Sequence, residues 1–193
     1  MSDEMLQPGF ADPVAGAQSC FRAVLDAMAR PGCVRAAGMD LTPPAPLAPA
    51  TAAVLLTLLD YDTPVWLDLA AAAARAWIEF HCGAPIVSKV TACSFAVALN
   101  MPELSTLPAG THETPESAAT LVLQVNAFGR GRTYRLAGPG LREPALLSVD
   151  GLPAEFASVW QENHTLFPRG VDIVLCAGTS LAALPRSVTL REI

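Results

Sequence analysis

Short apolar runs of strand length alternate along this chain with segments of helical spacing, and that alternation constrains the fold more than any other feature. Strand-like runs fall at 65–69, 94–99, 120–125, 133–137, 145–149, 171–177 and 187–191. Helical patterns cover about 13–30, 50–59 and 70–81, and Leu152, Phe156, Val159 and Trp160 mark another. The run at 120–125 is almost continuously apolar, as in a strand buried on both faces. Alternating elements lay helices against the faces of a mixed or mostly parallel sheet, so the expected fold is α/β, a three-layer αβα sandwich with a mixed sheet. The length, 193 residues, fits one domain over 1–193.

The punctuation is clearest at the first helix. Asp12 is placed to cap it, Pro13 has the φ of a first helical position, and Pro31-Gly32 ends it. Val14, Ala17, Phe21, Val24, Leu25 and Met28 recur at helical spacing and predict one apolar face, while Arg22 and Asp26, one turn apart, predict a surface ion pair. Residues 41–49 hold four prolines and predict an extended connector. Asp60 to Pro64 reads as a turn. Trp77 and Phe80 give bulk to the alanine-rich helix at 70–81, which Gly83 closes.

Only 16% of residues are charged against 52% hydrophobic. So little charge leaves part of the surface suited to cover by another subunit, and an oligomer is expected. The net charge of −6 excludes nucleic acid and anionic membrane as main partners, since both are held by clustered positive charge. No apolar run is long enough to span a bilayer, and the acidic, proline-bearing start differs from a signal peptide, so a cytoplasmic location is expected. Five cysteines, Cys20, Cys33, Cys82, Cys93 and Cys176, without a CxxC pair predict buried thiols rather than disulfides.

The familiar catalytic and cofactor motifs are missing from the sequence. It has no GxxxxGK[ST], no dinucleotide fingerprint, no HExxH and no GxSxG, and His81, His112 and His164 lie far apart. Asp60, Asp62 and Asp68 are close in sequence, but a turn with proline explains Asp60 and Asp62, and no metal is expected. One feature rises above this background. Arg130, Arg132, Arg135 and Arg142 fall within 129–142, a glycine-rich stretch without an acid, although the chain as a whole is acidic. Three readings fit: a solvated hairpin protecting a sheet edge, docking to an acidic partner, or binding of a phosphate-bearing ligand by guanidinium forks and free amides.

The segment PGFADPVAGAQSCFRAVLDAMARPG at 8–32 resembles the amino-terminal signature of the PhnH family. Further similarities are LLTLLDYDTPVW at 55–66, IEFHCGAP at 78–85, PESAATLVLQV at 115–125, LAGPGL at 136–141, WQENHTLFPRGVDIVLC at 160–176 and LPRSVTL at 184–190. The resemblance spans nearly the whole chain. It implies a subunit of the bacterial carbon–phosphorus lyase core complex, associated with PhnG, PhnI and PhnJ. That complex supports formation of α-D-ribose 1-alkylphosphonate 5-triphosphate from ATP and alkylphosphonate. It also implies a homodimer whose fold is a reduced relative of the pyridoxal-phosphate-dependent transferases, without the cofactor.

Lys89 is the sole lysine and hence the one possible Schiff-base anchor, and no signature surrounds it, so pyridoxal phosphate is expected to be absent. The resemblance assigns no catalytic residue. Chemistry combined with the matching segments makes Arg22 and Arg186 candidates for phosphate or phosphonate oxygens. Asp172 is a candidate to orient a hydroxyl or pair with an arginine, and Gly138 and Gly140 are candidates for close backbone approach. A component without an independent active site is the leading expectation; its rival is a phosphate-binding or transferase component with an arginine-lined pocket at the dimer interface.

Overall fold

The computed structural model describes residues 8–193. The expectation concerning the amino-terminal start therefore lies largely outside the described residues. In chain order the elements are α1 (Pro13–Ala29), β1 (Arg35–Ala36), α2 (Pro49–Leu58), β2 (Val65–Leu67), α3 (Arg75–Cys82), β3 (Phe95–Ala98), β4 (Thr120–Gln124), β5 (Ala127–Ala137), β6 (Ala145–Asp150), α4 (Phe156–Thr165), β7 (Asp172–Ala177), β8 (Ser180–Leu184) and β9 (Thr189–Glu192).

Six strands form one mixed sheet in the order β1-β8-β7-β4-β3-β2. The neighbours β2, β3, β4 and β7 run parallel, β8 pairs antiparallel with β7, and β1 pairs antiparallel with β8. Side chains alternate across it. Val97, Val122, Val174, Cys176, Leu181 and Ala183 join the core beneath α1, α2 and α3. Ala98, Leu121, Leu123, Ile173, Leu175 and Leu184 join the core on the opposite face. A sheet covered on both faces agrees with the sequence.

The second cover differs from the expected layer of helices. It is α4 together with a three-stranded antiparallel sheet, β6-β5-β9, whose Tyr134, Leu136, Leu147, Val149 and Leu190 point into the core. Alternation in β5 and β6 supplies one apolar face, which is all that a packed sheet needs. β8, made mostly of small residues, was not among the expected strands.

Asp12 caps α1 as expected, its Oδ1 accepting from the amides of Val14 and Ala15 at 3.1 and 3.0 Å. The apolar face is corrected. Cys20, Val24 and Ala27 are buried, whereas Val14, Phe21 and Leu25 are exposed, because the helix turns only a narrow stripe towards α2 and β8. The ion pair is corrected too: Asp26 pairs with Arg30 and Arg35, not with Arg22. Residues 70–81 are not one helix. A 3₁₀ turn, Ala72–Ala74, precedes α3, whose Trp77 is buried while Phe80 is exposed.

The proline-rich connector is tied to the sheet by Gln124 at the end of β4. Its Oε1 accepts from the Ala48 amide and the Thr51 hydroxyl at 2.7 and 2.8 Å, and its Nε2 donates to Pro46 O at 2.9 Å. Among the described residues no helix is long and apolar enough to cross a membrane.

Candidate functional site

The carboxyl end of β3 opens into a cleft of about 1040 Å³, bounded by 99–109, by 150–153 after β6, and by α4. Open α/β sheets commonly place ligands beyond the carboxyl ends of their strands. Asp68 fixes the first wall. Its buried carboxylate accepts from the amides of Ala71 (2.6 Å), Leu99 (2.9 Å) and Asn100 (3.0 Å), which holds the chain as it leaves β3. The third wall is anchored by Asn163, whose side chain bonds both backbone groups of Val171 at 2.9 and 2.8 Å, and by Trp160, which donates to Val188 O at 2.8 Å.

Leu99, Met101, Leu104, Leu152, Val159 and Leu166 make much of the lining apolar. Its charged members are all acidic: Glu103, Asp150, Glu155 and Glu162. Asp150 has a counterion in Arg130 at 3.3 Å. Glu103 accepts only the Ser105 hydroxyl, at 2.6 Å, and Glu155 and Glu162 form no ion pair among the described residues. With no arginine, lysine or histidine in the lining, the cleft carries a negative potential and disfavours phosphate or phosphonate oxygens.

The candidates proposed from sequence fall elsewhere. Asp172 and Arg186 are brought together, because β7 and β8 form a hairpin that returns the chain to the start of β7. Arg186 Nη2 donates to Asp172 Oδ2 at 2.5 Å, Nε lies 3.1 Å from both carboxylate oxygens, and Nη1 donates to Pro115 O at 2.7 Å. The Arg186 amide also donates to Asp172 Oδ1 at 2.7 Å, and its carbonyl lies 2.9 Å from His164 Nδ1. This is a structural clamp joining β7, α4 and the loop near Pro115. Arg22 is exposed on α1 with no ion pair or hydrogen bond among the described residues.

The arginine-rich stretch is the β5–β6 hairpin. Residues 129–131 form a bulge, and Gly131 is required there: its φ is +81°, and a β-carbon would lie 2.5 Å from Val149 O. Arg130 pairs with Asp150, and Arg132 donates to Glu192 at 2.5 Å, which raises the already high pKa of Arg132. Arg135 and Arg142 are exposed and unpaired among the described residues, and Arg135 stands in register with the equally exposed Arg191. Gly138 and Gly140 form the hairpin turn, which packs on the end of α1; a β-carbon on Gly140 would strike the Ala29 carbonyl.

Catalytic chemistry is sparse. Burial pushes the thiols of Cys20, Cys93 and Cys176 up, and that of Cys82 up to about 12, away from the thiolate needed of a nucleophile. All five cysteines are free. Among the described residues no group of three or more His, Cys, Asp or Glu is arranged to hold a metal ion. Lys89 is exposed at the start of a 3₁₀ turn. The sequence reading passed over the cleft, whose walls come from three distant segments. Glu155 at the cap of α4 with Val159 and Glu162 inside it, spaced i, i+4 and i+7, were its one legible signal.

Fold and site define a mixed α/β protein with a large acidic and apolar cleft and with its best-formed arginine site already occupied by its own aspartate. The chain belongs to the PhnH family, bacterial phosphonate metabolism proteins, matching it over residues 8–191. It is 40% identical over 188 residues, 95% of this chain and 94% of the relative, to the α-D-ribose 1-methylphosphonate 5-triphosphate synthase subunit PhnH of Rhizobium meliloti (strain 1021). It is also 37% identical over 101 residues, 52% of each chain, to a protein of Stutzerimonas stutzeri provisionally named C-P lyase subunit protein HtxG.

Proposed function

We propose that the protein is a subunit of the bacterial carbon–phosphorus lyase core complex. There it supports formation of α-D-ribose 1-alkylphosphonate 5-triphosphate from ATP and alkylphosphonate, by assembly or substrate handling rather than by catalysis of its own. The observation that carries this is end-to-end similarity to a protein named as a subunit of that synthase. The geometry agrees, since the large cleft opposes anionic substrates and the Asp172–Arg186 clamp uses its charges internally.

The natural partners on this reading are a second copy of the chain and PhnG-, PhnI- and PhnJ-like subunits, met in the cytoplasm. The kinship with pyridoxal-phosphate-dependent transferases remains part of the proposal, in a form that works without the cofactor. Lys89, exposed and without an ion pair among the described residues, supports that form. The protein by itself is expected to release no adenine from ATP plus methylphosphonate; release by the isolated chain overturns the reading.

A second reading draws on Arg135 and Arg191, two cations directly opposite one another and without an ion pair among the described residues. Such pairs destabilise a sheet unless an anion or acidic surface meets them. On this reading the hairpin arginines form part of a phosphate pocket at the dimer interface. Calorimetry with ATP and methylphosphonate on Arg135→Ala and Arg142→Ala separates the two, because unchanged heats remove these residues from any ligand site.

A further inference from the structure

The cleft has a definite complement. Its walls are fixed by Asp68 and Asn163 through backbone hydrogen bonds, so it is preformed rather than opened by a ligand. At the amino-terminal cap of α4 and along its first two turns the residues facing it read acid, apolar, acid: Glu155, Val159 and Glu162. A step of seven residues at about the helical rise separates their backbone positions by about 10 Å. Glu103 adds a third negative charge from the opposite wall. Exposed carboxylates on apolar walls, without a cation in the lining, favour a ligand bearing positive charge and apolar surface together.

We infer that this cleft is the docking site for a basic segment of another subunit, in which two arginine or lysine side chains about 10 Å apart flank an apolar side chain. The inference rests on the subunit reading above and names the surface and partner chemistry by which the subunit is held. The apolar residue packs on Val159, Leu152 and Leu166, while the cations meet Glu155 and Glu162. A phosphate-bearing ligand is disfavoured by the acidic lining. The volume of about 1040 Å³ lies at the upper end for small-molecule sites and suits several side chains of a peptide.

The test uses the full chain, tagged and expressed in cells carrying the other subunits of the complex. Four forms are compared: native, Glu155→Gln/Glu162→Gln, Glu155→Lys/Glu162→Lys, and a control, Asp62→Lys/Glu143→Lys, which makes the same charge change outside the cleft. The partner recovered with the Lys double variant is expected to fall at least about tenfold and that with the Gln variant by an intermediate amount, while the control matches native. Thermal midpoints check that each variant is folded, and the Gln pair, which introduces no repulsion, guards against misfolding of the Lys pair. Where one of the two cations is a lysine, carbodiimide coupling of the native complex is expected to join it to Glu155 or Glu162. Normal recovery with both cleft variants overturns the inference while leaving the subunit reading standing. Coupling to a second copy of this chain also overturns it. If the native chain recovers no partner, the subunit reading itself fails, and this inference with it.

Discussion

Replacing Arg186 by alanine distinguishes a clamp from a ligand-binding residue. The Arg186 and Asp172 side chains are 14% and 21% exposed, between the regimes of surface and buried ion pairs. Surface pairs contribute about 0.2–1 kcal/mol, whereas removal of one partner from a buried pair costs about 3–5 kcal/mol. Arg186→Ala removes the forked contact with Asp172 and the donor to Pro115 O, and leaves Asp172 with one backbone amide. A loss of about 3 kcal/mol follows, which for a chain of this size lowers the thermal midpoint by about 6–12 °C. Arg186→Lys retains the charge but not the fork, and recovers less than half of that loss. Arg22→Ala, on an exposed side chain without a partner, is expected within about 0.5 kcal/mol of native. Urea denaturation gives the free energies, and a double-mutant cycle with Asp172→Ala gives the coupling. Near-native stability of Arg186→Ala, accompanied by weakened binding of ATP or methylphosphonate, would refute the clamp.

Tyr134 is fully buried against Phe156, and its hydroxyl has no hydrogen-bond partner among the described residues. Tyr134→Phe removes the stranded polar group and is expected to raise stability by up to about 1 kcal/mol; a loss above that value by urea denaturation would reveal a hydrogen bond after all. Burial also raises the thiols of Cys20, Cys82, Cys93 and Cys176 above their ordinary value of 9.0. A group held protonated by folding contributes stability that is fully present below pH 9.0 and is lost as pH rises through the folded value, about 12 for Cys82. The unfolding free energy from urea denaturation should therefore fall from pH 8 to pH 10.5, by about 1.4 kcal/mol per pH unit for each thiol that is titrating in the unfolded chain alone. A flat profile contradicts that burial.

The sequence made some of this plain and concealed the rest for definite reasons. Asp12-Pro13 and Pro31-Gly32 located α1 because capping is local chemistry, and the apolar run at 120–125 located β4 because a central strand is buried on both sides. The exposed side of α1 was illegible: Phe21 and Leu25 are as apolar as Val24, and only the packing partners decide which of them is covered. Asp172 was read as a residue that could pair with an arginine, but Arg186 was not singled out as that arginine, since their contact depends on the β7–β8 hairpin. The bulge at 129–131 hid the true length of β5 by placing two glycines inside a strand. Glu155 and Glu162 carry helical spacing, yet nothing local announces that 99–107 stands across from them.

The central claim is that this chain acts as a subunit, and adenine release tests it most directly. With ATP and methylphosphonate, the purified chain alone is expected to release no adenine; the remaining synthase subunits without it should be inactive or nearly so; and the two together should restore release. Adenine release by this chain alone, or full release by the other subunits in its absence, would contradict the account.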